Sequence, residues 1–248
     1  MLDYRAITKK YYAEWLDCDE RDFLSGVRYV CSPKRDVVQT FYSSAWALCL
    51  FKTDTAAIIS YSSKIQKQIK QMEMDFSGVK SFDLNLGDYL DKLFGVKTKR
   101  NIKFVFDRQI ASSNEDVVSL SKADYDLFLN FRVSLGNNLW DEETREYFEA
   151  ISALGYCMAR MADGKPVSMT DTPTMPYMSD MVQEVGIDTL PDYRNRGYAK
   201  EVVSACISKI ISDNKCPQWS CDADNRASER LAYRVGFKRF CDVYSIVL

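Results

Sequence analysis

One segment restricts this chain more than any other: Val185-Gly186-Ile187-Asp188-Thr189-Leu190-Pro191-Asp192-Tyr193-Arg194-Asn195-Arg196-Gly197-Tyr198-Ala199-Lys200. An extended run ends at a proline that cannot continue it, and a basic, glycine-containing turn then opens a long helix. A strand feeding directly into a helix calls for an α/β architecture. The same turn is an anion cradle. The unpaired N–H groups of a first helical turn point outward, the helix dipole favours negative charge there, and a glycine lets a phosphate approach the backbone. Arg194, Arg196 and Lys200 add positive charge. The pattern predicts a phosphorylated ligand, but it is neither G-x-x-x-x-G-K-[ST] nor G-x-G-x-x-G.

Around this segment the periodicities alternate. Upstream, Tyr156–Met161 and Pro166–Thr170 flank an Asp163-Gly164 pair, which predicts a hairpin. Before it, Ser121 is placed to cap a helix carrying Tyr125, Phe128, Leu129 and Val133, and Asp141 to open one with Tyr147, Phe148, Ile151 and Leu154 inward. Downstream come a helix from Gly197 to Ser212, a strand around Trp219–Asp222, a helix from Ala227 to Val235 and a β segment from Phe237 to Leu248. In the N-terminal part, a helical segment through Tyr11, Tyr12, Trp15 and Phe23 precedes strands at Val37–Tyr42, Ala47–Phe51, Ala56–Tyr61 and Ile102–Phe106. Ile65, Ile69, Met72 and Phe76 form a helical stripe behind Ser62 or Ser63. The likeliest linker in composition is Ala111–Asp116, giving an N-terminal α/β lobe at 1–115 and a second domain at 116–248. The fold expected is α/β (α+β) with a mixed sheet.

Composition narrows the chemistry. The chain contains no histidine, which removes Ser-His-Asp and Cys-His triads and histidine-bound zinc. Its eight cysteines lack C-x-x-C spacing and read as reduced, mostly buried residues, so no metal is expected. A formal net charge of −2 without a basic stripe argues against nucleic acid, and Lys97–Arg100 reads as a solvated turn. The polar start and the lack of a long apolar run predict a cytoplasmic protein that does not engage a membrane.

Arg194-x-x-Gly197-x-Ala199, preceded by Pro191-Asp192-Tyr193, resembles the pyrophosphate loop of the GNAT superfamily of acyl-CoA-dependent N-acyltransferases. A second block, Asn225-x-x-Ser228-x-x-Leu231 followed by Gly236-Phe237, is similar to that family's N-x-x-[AS]-x-x-L-x-x-x-x-G-F element. With Trp219 ahead of it, the combination is especially similar to bacterial GNAT acetyltransferases that carry an uncharacterised N-terminal lobe. The resemblance covers roughly 116–248. It implies a mixed, mostly antiparallel sheet flanked by helices. It also implies acetyl-CoA as co-substrate, with pyrophosphate on the backbone of Arg194, Asn195, Arg196, Gly197, Tyr198 and Ala199, together with Lys200. Ile187, Asp188 and Thr189 would line the pantetheine arm, a strand N–H near Ile187 would polarise the thioester, Asn225 would bond the arm and Ser228 would sit near the arm or the phosphates. Simpler roles stand beside these: Tyr193 and Tyr198 as core aromatics, Arg194 paired with a carboxylate, Asn225 as a helix cap.

The catalytic pattern is less complete. The family's strand glutamate falls at Gln183, with Glu184 one residue away, where a bulge could restore its facing. The family's tyrosine falls at Ala232, with Tyr233 adjacent. Glu184, Asp188 and Tyr233 are the candidates, with Asp222 and a water relay as alternatives. Cys221 beside Asp222 is disfavoured as a nucleophile. The resemblance implies direct acetyl (or similar acyl) transfer to an amine, on a small molecule or a protein, with a homodimer left open. A non-catalytic acyl-CoA-binding or sensing module is the alternative, and a CoA-independent aminoacyl transferase of related fold a third.

Overall fold

A computed structural model describes residues 2–38, 45–77, 85–107, 116–136, 142–173 and 175–247. In chain order the elements are α1 (Tyr4–Leu16), β1 (Gly26–Cys31), β2 (Trp46–Lys52), β3 (Ala56–Tyr61), α2 (Gln66–Asp75), α3 (Leu86–Phe94), β4 (Lys99–Phe106) and β5 (Val117–Ser119). There follow α4 (Tyr125–Ser134), α5 (Glu142–Ala153), β6 (Met158–Ala162), β7 (Lys165–Asp171), β8 (Val182–Glu184), β9 (Gly186–Thr189), α6 (Tyr198–Ser212), β10 (Cys216–Asp222), α7 (Arg226–Arg234) and β11 (Phe237–Val247). The fold is α/β with mixed, mostly antiparallel sheets flanked by helices.

The chain divides into two compact units. The first comprises Met1–Ile7, Val105–Trp219 and Ala227–Lys238; the second comprises Thr8–Phe104, Ser220–Arg226 and Arg239–Leu248. They interleave along the sequence, whereas the sequence reading divides the chain once, after residue 115, a position outside the described residues.

In the first unit, β5, β6, β7 and β9 form an antiparallel sheet in that order. The β6–β7 hairpin closes through Asp163 (φ 51°) and Gly164 (φ 72°), two successive left-handed residues whose twist suits the flanking strands. Before α4, Ser121 and Asp124 form a reciprocal capping box. Phe128 and Phe131 of α4, Phe148 and Ile151 of α5, and Val167 and Met169 of β7 share one core. Val133 and Leu154, expected inward, are 38% and 47% exposed, and Phe131 takes the buried position instead. Asp141, the expected start of α5, lies outside the described residues.

In the second unit, β1 runs parallel to β3, β3 antiparallel to β2, and β2 antiparallel to β11. The predicted stripe on α2 is the buried one: Ile65, Ile69, Met72 and Phe76 are 6% exposed or less. Val37 and Val38 are exposed and lie outside any strand, and the rest of that expected strand, 39–42, lies outside the described residues. Three elements lacked a prediction: β1 and α3 here, and β5 in the first unit.

Candidate functional site: a strand that changes partners before a helix N-terminus

The extended run that ends at Pro191 reaches back to Val182, and it is broken at Val185, so that its two halves pair differently. Val182, Gln183 and Glu184 lie parallel to Cys216, Pro217 and Gln218. Gly186 to Thr189 lie antiparallel to Asp171 to Ser168. Val185, 1% exposed, donates its N–H to Gln218 O at 3.0 Å, and there the pairing with β10 ends. β9 is terminal in its sheet, so its edge turned away from β7 has no strand partner among the described residues. Gly186 makes the β7 pairing possible, because a Cβ there would sit 3.0 Å from Asp171 O.

β9 leads through Leu190 into a short 3₁₀ turn, Pro191–Tyr193, and then into the basic loop. Asn195 (φ 61°) and Gly197 (φ 90°) are both left-handed, and Gly197 caps α6. A Cβ on Gly197 would meet nothing within 4 Å, so this glycine serves backbone conformation and an open approach from outside. The first N–H groups to bond within the helix are those of Lys200 and Glu201, both to Gly197 O. Those of Tyr198 and Ala199 precede any intrahelical acceptor. Asp192, Arg194, Asn195, Arg196, Gly197 and Lys200 are exposed.

Side chains brace this turn from within. Arg194 Nε donates to Thr189 O at 3.1 Å, and Arg196 to Asp192 O at 2.9 Å. Among the described residues, Arg194 forms no ion pair. Tyr193 donates its hydroxyl to Asp163 at 3.1 Å, and Arg196 and Lys165 lie over its ring at 5.2 and 5.9 Å. Tyr193 and Tyr198 also pack partly buried against the core of the first unit. This packing matches the reading of both tyrosines as core aromatics, and Tyr193 also braces the loop through Asp163. Arg160 lies 5.1 Å from the Tyr198 ring and 3.8 Å from Glu201.

The two faces of β9 carry different chemistry. Ile187 pairs with Thr170, whose hydroxyl donates to Tyr156 O at 2.6 Å, the carbonyl that α6 also meets through the Cys206 thiol. Thr189 shares a 2.8 Å hydroxyl contact with Ser168. On the other face, Asp188 lies opposite Met169, and Arg132 of α4 reaches Asp188 at 3.3 Å and Asp171 at 3.9 Å. Tyr147 of α5 donates to Asp171. Burial pushes the Asp188 carboxyl up, Arg132 pulls it down and Asp171 adds to the rise. Burial and the Asp171 carboxylate push the Tyr147 phenol up strongly. Arg132 and Asp171 were missed from sequence: the ion pairs join residues 39 and 56 positions apart, legible only once the β7–β9 register is known.

The remaining candidates are placed as follows. Gln183 is 3% exposed and gives its amide to Pro173 O and Glu184 O, a framework role. Glu184 is half-buried, and its N–H lies 3.2 Å from the Met175 sulfur. The break at Val185 separates it from β9, so facing parity does not carry across. On α7, Ala232 is buried and Tyr233 is 42% exposed, bonded to Glu229 at 3.4 Å. Ser228 accepts from Trp219 Nε1 at 3.2 Å. Asn225, in the second unit, is exposed immediately before α7. Cys221 is buried in β10, and all eight cysteines are free.

Among the described residues, no group of three or more His, Cys, Asp or Glu could hold a metal, and no helix is long and apolar enough to cross a membrane. No curated protein matches the chain. Among solved structures, a GNAT-family acetyltransferase from Colwellia psychrerythraea aligns with a TM-score of 0.52 and 11% identity over 76% of each chain, a likeness of fold. A protein assigned to the GNAT family from Novosphingobium aromaticivorans has a TM-score of 0.49 and 20% identity over 60% of this chain; the chain spans 64% of that protein's length. YncA from Salmonella typhimurium, a proposed acetyltransferase solved with acetyl-CoA, has a TM-score of 0.42 and 17% identity over 53% of this chain and 91% of that one. The family profile named GNAT acetyltransferase matches residues 53–246, beginning well inside the N-terminal part, and with most of its length so matched the chain belongs to the GNAT acetyltransferase family.

Proposed function

We propose that this chain is an N-acyltransferase that moves an acetyl or similar acyl group from acyl-CoA to an amine by direct attack. The observation that carries the reading is the change of partners at Val185: an open strand edge at 186–189 runs straight into an exposed, cationic helix N-terminus at 194–200. An extended amide-bearing arm suits the first, and a diphosphate suits the second. The residues present fit such a ligand, because Tyr198 and Ala199 have outward N–H groups and the space outside Gly197 is open. When bound, acyl-CoA supplies an activated thioester. The chain's part is to bind and orient it, with Arg194, Arg196 and Lys200 facing phosphate and the backbone of Ile187 and Thr189 facing the arm. Asn225 and Ser228 are assigned to the arm as well.

Amine attack needs a base. Glu184 and Asp188 are the carboxylates on the strand, with Tyr233 the candidate acid. Asp188 is ion-paired with Arg132, so an amine reaching it must compete with a guanidinium; Glu184 remains the first choice. A non-catalytic acyl-CoA-binding protein is the second reading. It is favoured by the structural engagement of Gln183 and by the burial of Ala232 where the family has its tyrosine. The acceptor, on a small molecule or a protein, the cytoplasmic location and a homodimer belong to the same proposal. So does the role of the N-terminal lobe, as a degenerate acyltransferase repeat, a substrate-binding lobe or a dimerisation unit; a profile match that starts at residue 53 favours the first. Thiol release from acetyl-CoA against an amine panel, beside calorimetric CoA titration, tests the whole. Binding with no thiol release across the panel selects the second reading, and absence of binding rejects both.

A further inference from the structure

The core of the second unit holds two cations that no acid among the described residues answers. Arg35, at the end of a 3₁₀ turn (Pro33–Arg35) capped by Ser32, is 2% exposed. Its NH1 lies 2.8 Å from the Cys49 sulfur and its NH2 donates to Trp15 O at 3.0 Å. Lys103, in the middle of β4, is 8% exposed, with its ammonium 5.0 Å from the Trp15 ring centroid. Neither forms an ion pair among the described residues. Carboxylates close in sequence to Arg35, Trp15 or Lys103 are engaged elsewhere: Asp36 with Ser62 and Lys64, Asp17 with Ser32 and Lys34, Glu14 with Lys34, and Asp107 with Lys238.

The two cations converge. Both touch Trp15, one at its carbonyl and one at its ring, and both act electrostatically on the Cys49 thiol. Two donors of these side chains, Arg35 Nε–H and Trp15 Nε1–H, are buried with no hydrogen-bond partner among the described residues. Buried donors in folded proteins are nearly always satisfied, and an unpaired buried charge costs far more than one hydrogen bond returns. A lysine can shed its proton; an arginine cannot. The Trp15 ring helps with Lys103 but offers Arg35 Nε no acceptor. Cys49 is a poor source of negative charge, because full burial holds its thiol up against the pull of both cations.

We infer that the second unit carries a buried binding site for a compact oxyanion, of carboxylate or phosphate chemistry, held by Arg35, Lys103 and the Trp15 indole N–H. The anion is compact because the surroundings are filled: Trp15 stacks with Trp46 at 5.6 Å and Tyr12 at 6.0 Å, and meets Phe51 at 6.3 Å. This site is independent of the acyl-CoA reading, since it shares no residue with those assigned to that ligand.

The test is a thermal-midpoint titration of the full chain with sodium acetate and with sodium phosphate, each at matched ionic strength, beside sodium chloride alone. Binding to the folded state raises the midpoint with ligand concentration. General salting effects lift parent and variant alike, so the readout is the difference between the parent and Lys103→Met. The parent is expected to gain more than Lys103→Met with acetate, phosphate or both, and the effective salt identifies the oxyanion. Without added oxyanion, Lys103→Met is expected to melt at or above the parent, because an apolar side chain of similar length replaces an unpaired buried cation. Arg35→Met also breaks the bond to Trp15 O, so Lys103→Met is the deciding variant. Parallel titrations for parent and variant overturn the proposal, as does an equal response to chloride. So does thiolate absorbance at neutral pH that disappears in Cys49→Ala, since the thiolate would then be the counter-charge.

Discussion

The loop at 194–200 and the Arg35–Lys103 pair both gather positive charge and unpaired donors, yet one faces water and the other does not. Water satisfies the loop when nothing is bound, so Arg194, Arg196 and Lys200 cost the fold little and can wait for a ligand. The buried pair has no such recourse; its neutralisation is part of what makes the second unit stable. Exposed cations thus report on recognition, while buried ones report on folding.

Four experiments break or sharpen that contrast. Gly197→Val should have the largest effect, lowering CoA affinity by more than about 100-fold, or roughly 2.8 kcal/mol. Valine blocks the open face, and the left-handed backbone penalises it by about 1–2 kcal/mol. The anion response of the second unit should be unaltered; parental CoA affinity by calorimetry would remove the loop from the site. Next, a general base typically contributes about 10²–10⁴-fold, so Glu184→Gln should cut turnover by at least about tenfold and abolish the acidic limb of the pH–rate profile. Asp188→Asn measured beside it ranks the two carboxylates. If both variants keep parental turnover, neither is the base. Asn225→Ala should weaken CoA by about 0.5–1.5 kcal/mol. A lower apo melting temperature with unchanged affinity would leave Asn225 only a cap.

The smallest effect concerns the face of β9. Asp188 is held up by burial and by Asp171, and down by Arg132 and Arg194. A carboxyl raised on folding favours the folded state when protonated, and that contribution is lost as pH rises through its folded value. Arg132→Met removes the stronger downward pull. The carboxyl should move further up, and the melting deficit against the parent should widen from acidic to neutral pH. A deficit independent of pH would mean that Arg132 acts through packing alone.

Much of this was legible because the signals are local. Pro191, Gly197 and the arginines between them mark the turn, Asp163-Gly164 marks the hairpin, and Ile65, Ile69 and Met72 mark the buried side of α2. What escaped depends on distant partners. β1 is mostly exposed and carries Arg28 among its residues, so it shows neither alternation nor an apolar run; only its parallel register with β3 makes it a strand. α3 contains Gly87 near its start, a residue that reads as a loop. The break at Val185 leaves no mark in sequence, since a residue buried between two half-buried neighbours fits an uninterrupted strand equally well.

The pairing of β2 with β11 sets a clock on biosynthesis. Leu48, Cys49, Leu50 and Phe51, each 1% exposed or less, lie against Ile246, Ser245, Tyr244 and Val243. About 190 residues separate the two strands, and at ribosomal rates their synthesis takes on the order of ten to forty seconds. Throughout that interval a nascent β2 has an apolar ladder with one edge open, the kind of surface that templates association between chains. The second unit therefore cannot close while its own N-terminal segments are being made. Its maturation waits until β11 has left the ribosome, and chaperone holding of the nascent chain would matter most in that window.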